Sequence, residues 1–293
     1  MIQTVHFKKY YGKHRGVEDL TLHVKAGEIY GFVGPNGAGK STTIRSLLGM
    51  LKPTSGELLL FERPCTDRNL SEVKDRIGYL PSENHYYDRL RVKELFEYAA
   101  GYRKKDCSGK IRELCEILAL DTSRLIEDLS FGNKKKVGIV LSMMHEPELL
   151  ILDEPTVGLD PLMQNHFYDL LRKEKSRGAT VFFSSHILSE VQRLCDRVGI
   201  IKEGRLIDEK DVKELRQTQY KKVFVKLING TPFRPGEAEL TELTEKSGEV
   251  RFIYQGNAGD LTRLLASNEI ADFSVTEPDL EEVFMHYYRE DEK

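Results

Sequence analysis

The sequence predicts an α/β protein: a parallel sheet with crossover helices, broken by an all-helical insertion and closed by a small α+β domain. Three observations predict it. Short apolar runs at 29–33, 57–61, 76–80, 148–152, 180–184 and 198–202 alternate with helical patterns at 161–176 and 187–195, as a buried parallel sheet requires. Between 84 and 146 the apolar residues recur instead at helical spacing, for example Ile111, Leu114 and Leu118, then Val137, Val140, Leu141 and Met144. After about 211 the pattern changes again. Strands are expected at 221–228, 239–244 and 249–255, with Lys246-Ser247-Gly248 as a turn, then a helix 259–267, a strand 270–275 and a helix 279–289.

These patterns divide the 293 residues into a core domain, 1–210, with a helical subdomain over about 84–146, and a C-terminal domain, 211–293. Charge supports a boundary near 208: residues 1–207 carry a net +4 and 208–293 a net −7. The total of −3 is too close to neutral to suggest nucleic-acid binding through bulk charge. No apolar run approaches the ~18–20 residues of a membrane-spanning helix. The N-terminus, MIQTVHFKKYYGK, alternates like a strand and lacks the apolar stretch and cleavage site of a secretory signal, so export of the chain is not expected. Cys65, Cys107, Cys115 and Cys195 form no C-x-x-C pair and read as reduced thiols rather than metal ligands.

The strongest chemical signal lies between the strand at 29–33 and a helix opening near Lys40. Gly34-Pro35-Asn36-Gly37-Ala38-Gly39-Lys40-Ser41-Thr42 fits the phosphate-loop pattern G-x-x-x-x-G-K-[ST]. Its glycines let successive backbone N–H groups face one anion, the helix dipole adds positive potential, Lys40 reaches the outer phosphates and the Ser41 hydroxyl suits Mg²⁺. Downstream, the strand Leu149-Leu150-Ile151-Leu152 delivers Asp153 and Glu154. An acid at that strand end supplies a second Mg²⁺ contact, which assigns Asp153, and the next carboxylate, Glu154, can deprotonate water as general base. Without the phosphate loop, Asp-Glu-Pro would read as a surface or capping pair.

The run from Leu129 to His186 resembles the nucleotide-binding subunit of an ABC transporter. Leu129-Ser130-Phe131-Gly132-Asn133 resembles the family signature LSGGQ, Val157-Gly158-Leu159-Asp160 the D-loop, and Ser184-Ser185-His186 the switch histidine. The resemblance implies a phosphate-loop ABC ATPase core that takes ATP and Mg²⁺. It further implies that Ser130, Phe131, Gly132 and Asn133 meet the nucleotide held by a second subunit, that Asp160 belongs to that junction, and that His186 contacts the γ-phosphate. Tyr11 matches the aromatic that stacks on adenine in this family; taken alone, Tyr10 or Tyr11 would be plain strand packing.

Two departures stand out. Where the family has a glutamine after the strand at 76–80, this chain has Ser82, whose short hydroxyl would reach Mg²⁺ only through water. The signature carries Phe131 and Asn133 in place of glycine and glutamine. With Glu83 and Asn84 to Asp88 taken as a permease-facing groove, Tyr86 and Tyr87 are expected against a helix of the partner, or else inside the helical insertion.

Those variants, with Pro278-Asp279-Leu280-Glu281-Glu282-Val283-Phe284, resemble the ATPase subunits of bacterial exporters that pair with a separate six-helix permease and move peptides, antibiotics or lipids. The same stretch also reads as an amphipathic helix burying Val283, Phe284 and Tyr287. The resemblance implies a peripheral protein at the cytoplasmic face of the membrane, touching it only through an integral-membrane permease. A chain with every motif intact can build two equivalent sites by itself, so a homodimer is expected, with the C-terminal domain as a candidate contact. The alternative is an ABC-type ATPase acting on the ribosome or DNA. It fits less well, because the chain has one cassette and only about 60 residues of insertion. A catalytically dead regulator conflicts with intact Lys40, Asp153, Glu154 and His186.

Overall fold

The computed structural model describes residues 1–103, 105–213, 220–228, 231–236 and 240–276. The chain divides into two compact units, Met1–Val212 and Lys213–Lys293. In the first, ten strands form one sheet in the order β5 (Arg63–Pro64), β4 (Ser55–Leu60), β1 (Ile2–Tyr11), β2 (His14–Val24), β10 (Arg205–Asp211), β9 (Arg197–Lys202), β3 (Ile29–Val33), β8 (Thr180–Ser185), β7 (Leu149–Asp153) and β6 (Ile77–Leu80). Its parallel part is β9, β3, β8, β7 and β6. Every residue of β3, β7 and β8 is buried, which explains why these strands read as unbroken apolar runs. Tyr30 and Phe182 stack at 5.9 Å between ring centres, and Ile44 and Leu47 of α1 (Lys40–Leu47) complete this core.

The other part is antiparallel except where β10 meets β2 in parallel, and here one expectation is corrected. The apolar run at 57–61 belongs to β4 (Ser55–Leu60), which pairs antiparallel with β1 (Ile2–Tyr11) and with β5 (Arg63–Pro64) rather than joining the parallel strands. Gly56 there has φ 81°, and a Cβ on it would meet the His6 carbonyl oxygen at 2.2 Å, so only glycine admits this crossing. β2 (His14–Val24) pairs antiparallel with β1, and β10 (Arg205–Asp211) pairs antiparallel with β9; neither was singled out from the sequence. Helix α2 (Asp67–Val73), capped by the Thr66 hydroxyl, was also not anticipated.

The insertion is helical as expected, with α3 (Val92–Ala100), α4 (Ser108–Ile117) and α5 (Phe131–Met143) burying Leu95, Phe96, Leu114, Val137 and Val140. Ser130 caps α5, its hydroxyl accepting from the Asn133 N–H at 3.3 Å. Helix α6 (Pro161–Ser176) spans the expected residues, with Pro161 in its first turn and Asp160 as its cap, and α7 (Leu188–Leu194) follows β8. In the second unit, β11 (Tyr220–Leu227), β12 (Leu240–Lys246), β13 (Glu249–Gln255) and β14 (Ile270–Thr276) form an antiparallel sheet in the order β12-β13-β11-β14. Leu261 and Leu264 of α8 (Ala258–Ala266) pack with Val223, Val225, Val250 and Phe252 in its core. The helix expected at 279–289 lies outside the described residues. No helix among the described residues is long and apolar enough to cross a membrane.

Candidate functional site

β3 ends in the glycine-rich loop because its next residue admits no side chain: a Cβ on Gly34 would sit 2.1 Å from the Ile201 carbonyl oxygen. Gly37 (φ 81°) and Gly39 (φ 108°) then turn through the left-handed region, and Gly39 caps α1 without offering a side chain. The first backbone N–H groups of α1 thus stay available to an anion. Lys40 folds back over the loop, almost wholly buried. Its ammonium donates to the Gly34 carbonyl at 2.6 Å and lies 3.3 Å from Glu154 Oε1.

β7 supplies the carboxylates. Asp153 is fully buried; its Oδ1 accepts from the Ser184 hydroxyl at 2.7 Å, while Oδ2 is buried without a hydrogen-bond partner. An oxygen so placed is costly unless a cation meets it, and a carboxylate with a hydroxyl such as Ser41 is the hard-oxygen set that Mg²⁺ takes. Glu154 adopts φ 49°, a left-handed turn, and its N–H donates to the Ser184 hydroxyl at 3.1 Å. The turn aims its side chain at Lys40 on one oxygen and at His186 on the other, Nδ1 of His186 donating to Oε2 at 2.8 Å.

Lys40 and Glu154 border a cavity of about 390 Å³ lined also by Tyr11, Arg15, Gly16, Pro35, Asn36, Gly37, Gly39, Ser41, Thr42 and Ser82; Asp153 and His186 do not line it. Gly34 and Ala38 are buried parts of the same loop. Tyr11 is 44 % exposed, with its hydroxyl 3.4 Å from that of Thr42, whereas Tyr10 turns its hydroxyl to Glu18. A larger cavity of about 660 Å³, bordered by Phe96, Ala100, Ile111 and Cys115 in the helical insertion, shares no residue with this one.

The residues resembling the signature and D-loop do not line the cavity of their own chain. They meet each other instead: a Cβ on Gly158 would touch the Phe131 ring at 2.3 Å, and one on Gly132 would meet the Gly158 carbonyl oxygen at 2.6 Å. Asp160 accepts from the Met163 N–H at 2.9 Å as the cap of α6, and Phe131 is 55 % exposed.

The two tyrosines divide between the expected placements. Tyr86 turns inward, donating to the Lys134 carbonyl at 3.4 Å, and burial raises its phenol well above the usual value. Only Tyr87, 69 % exposed, faces outward.

Sequence reasoning also missed Arg15 and Gly16, which belong to no motif, and Lys135, hidden in the run Lys134-Lys135-Lys136. Lys135 is 1 % exposed. Burial lowers the proton affinity of its ammonium, while Asp153, Glu154 and Glu83 raise it.

A loop of backbone donors opening a helix, a lysine across it and a carboxylate against that lysine make this chain a phosphate-loop nucleoside triphosphatase. The ABC transporter family model matches residues 17–157. The chain is 36 % identical to the bacitracin transport ATP-binding protein BcrA of Bacillus licheniformis, over 97 % of this chain and 96 % of that one. It is 32 % identical to the Nod factor export ATP-binding protein I of Paraburkholderia xenovorans, over 95 % and 93 %. A solved ATP-binding subunit of an ABC transporter superposes with a TM-score of 0.68 at 29 % identity, covering 74 % of this chain and 92 % of that one. The chain belongs to the ATP-binding subunits of ABC transporters. It is an ATPase that takes ATP with Mg²⁺ and works with a separate permease.

Proposed function

We propose that this subunit powers export of amphipathic compounds of the bacitracin class, as a head-to-tail homodimer bound to its permease at the cytoplasmic face of the membrane. The observation that carries this reading is the 36 % identity to a bacitracin transport protein over 97 % of the chain, C-terminal unit included. Two identical chains suit the separation of Phe131 and Gly132 from their own cavity, since a partner's cavity could receive them.

The triphosphate enters over Gly37 to Thr42, where backbone N–H groups and the Lys40 ammonium bind its oxygens. Tyr11 stacks on the base. Ser41 and Asp153 would hold Mg²⁺, which neutralises phosphate charge when bound, and Ser82 would reach it only through water. Glu154 accepts the proton of the attacking water, and His186 holds the carboxylate in place and reaches the terminal phosphate.

Co-expression with a permease in a bacitracin-sensitive bacterium tests the assignment. Bacitracin tolerance should rise with both chains and return to baseline with Glu154→Gln. Unchanged tolerance, in cells where both proteins reach the membrane, would remove bacitracin-like compounds from the substrate class.

A further inference from the structure

Lys135 joins three parts of the core. Its ammonium donates to the Ser82 carbonyl at 2.7 Å and to the carbonyls of Pro81 and Glu154 at 3.4 Å each. An ammonium has three N–H donors, and here three backbone carbonyls from two separate segments take them. Lys134 and Lys136 on either side are partly exposed, so a long cationic side chain has been sunk at one position of the run only. A side chain with that much rotamer freedom is costly to bury unless its contacts are needed.

Two features show what the contacts connect. Ser82 has too short a side chain to link its loop to the rest of the site, and the hydrogen bond from Lys135 holds its main chain. Glu154 sits at φ 49°, so the direction of its carboxylate follows from its backbone, and Lys135 grips that backbone at the carbonyl. Lys135 itself stands in α5, the helix capped by Ser130.

We propose that Lys135 is a positioning residue that ties the Ser82 loop to the backbone of Glu154 and to helix α5, so that a displacement of the loop reaches the carboxylate and the Ser130 end of α5 together. This rests on the reading of Glu154 as general base. Lys135 does not line the cavity that takes the nucleotide; it sets where Glu154 points. Losing it should therefore slow turnover and leave ATP binding nearly intact.

The test is steady-state hydrolysis of Mg-ATP by the full chain carrying Lys135→Met, Lys135→Gln or Lys135→Arg, with thermal melting of each. Displacing a reacting group by part of an ångström costs about 10–100-fold, so kcat should fall by that factor in the Met and Gln variants. KM for ATP should move by less than about threefold, because the phosphate-binding groups are untouched. Arginine, which keeps the charge and the donors, should recover most of kcat. Should Lys135→Met fail to fold, the Gln and Arg pair decides. A kcat within about twofold of the parent in folded Met or Gln protein overturns the inference, as does an Arg variant as slow as Gln, since rescue by a conserved donor set is what positioning requires. Absence of hydrolysis by the parent chain would overturn the ATPase reading and this inference with it. An active parent indifferent to Lys135 overturns this inference alone.

Discussion

His186 and Glu154 share a hydrogen bond, Nδ1 of the imidazole donating at 2.8 Å to Oε2 of a carboxylate whose other oxygen lies 3.3 Å from the Lys40 ammonium. The carboxylate thus stands between a phosphate-binding cation and an imidazole. β7 brings it there and β8, the adjacent parallel strand, brings the histidine. Substrate phosphate would compete with Glu154 for Lys40, releasing the carboxylate oxygen toward water.

Replacing Lys40 with alanine removes that cation and the bond to the Gly34 carbonyl together. ATP hydrolysis should fall at least about 100-fold, the scale of losing one donor aimed at developing phosphate charge. Affinity for ATP should weaken as well, and titration calorimetry checks it.

Tyr11 and Tyr10 should behave differently. Tyr11→Ala should raise KM for ATP about 3- to 10-fold, the equivalent of one aromatic stack, and Tyr11→Trp should restore it. Tyr10→Phe removes only the hydroxyl that bonds Glu18 outside the cavity, so its KM should stay at the parental value. Steady-state kinetics of the three variants decide between the tyrosines.

A mixed dimer tests whether sites are shared. Ser130→Arg in one subunit and Lys40→Ala in the other leave one composite site intact and make the opposite one doubly defective. Tagged mixed dimers should recover up to about half of the parental rate that neither homodimer shows. No recovery would count against sharing, provided that one intact site suffices for turnover.

His145 gives a pH signature independent of catalysis. Burial, with Arg103 nearby, pushes its imidazole down to about 4 from 6.5, and its Nε2 donates to the Ile77 carbonyl at 3.0 Å in the neutral form. The unfolded chain takes up the proton first, so this group's contribution is full above about 6.5 and is lost as pH falls toward 4. Melting temperature should decline over that window, and His145→Gln should flatten the decline. Equal slopes for both proteins would refute the assignment.

The parallel half of the fold was legible because full burial leaves continuous apolar runs, as in Leu149 to Leu152. The antiparallel half was legible only at β1 and β4, which read as strands without their pairing. β10 carries Arg205, Asp208, Glu209 and Lys210, charges that hide a strand, and β2 mixes His14, Arg15, Glu18 and Asp19 with its buried residues. At the site, Gly34 to Thr42, Asp153 and Glu154 were readable because phosphate binding fixes residue types at fixed spacing. Ser184 as the partner of Asp153, and Lys135 as the cation against Ser82, were not readable, since each acts through a contact between residues 31 and 53 positions apart. Tyr86 and Tyr87 stay between two placements at the level of sequence because an aromatic in a loop looks the same whether it turns in or out.

The most direct test of the account is the rate of phosphate release from Mg-ATP by the full chain and by its Glu154→Gln variant, with ATP affinity measured on the same preparations. Glutamine keeps the shape of the side chain but cannot take a proton from water. Turnover should therefore fall by about 100- to 10,000-fold while ATP affinity stays within about threefold of the parent. A Glu154→Gln protein that releases phosphate at the parental rate would contradict it.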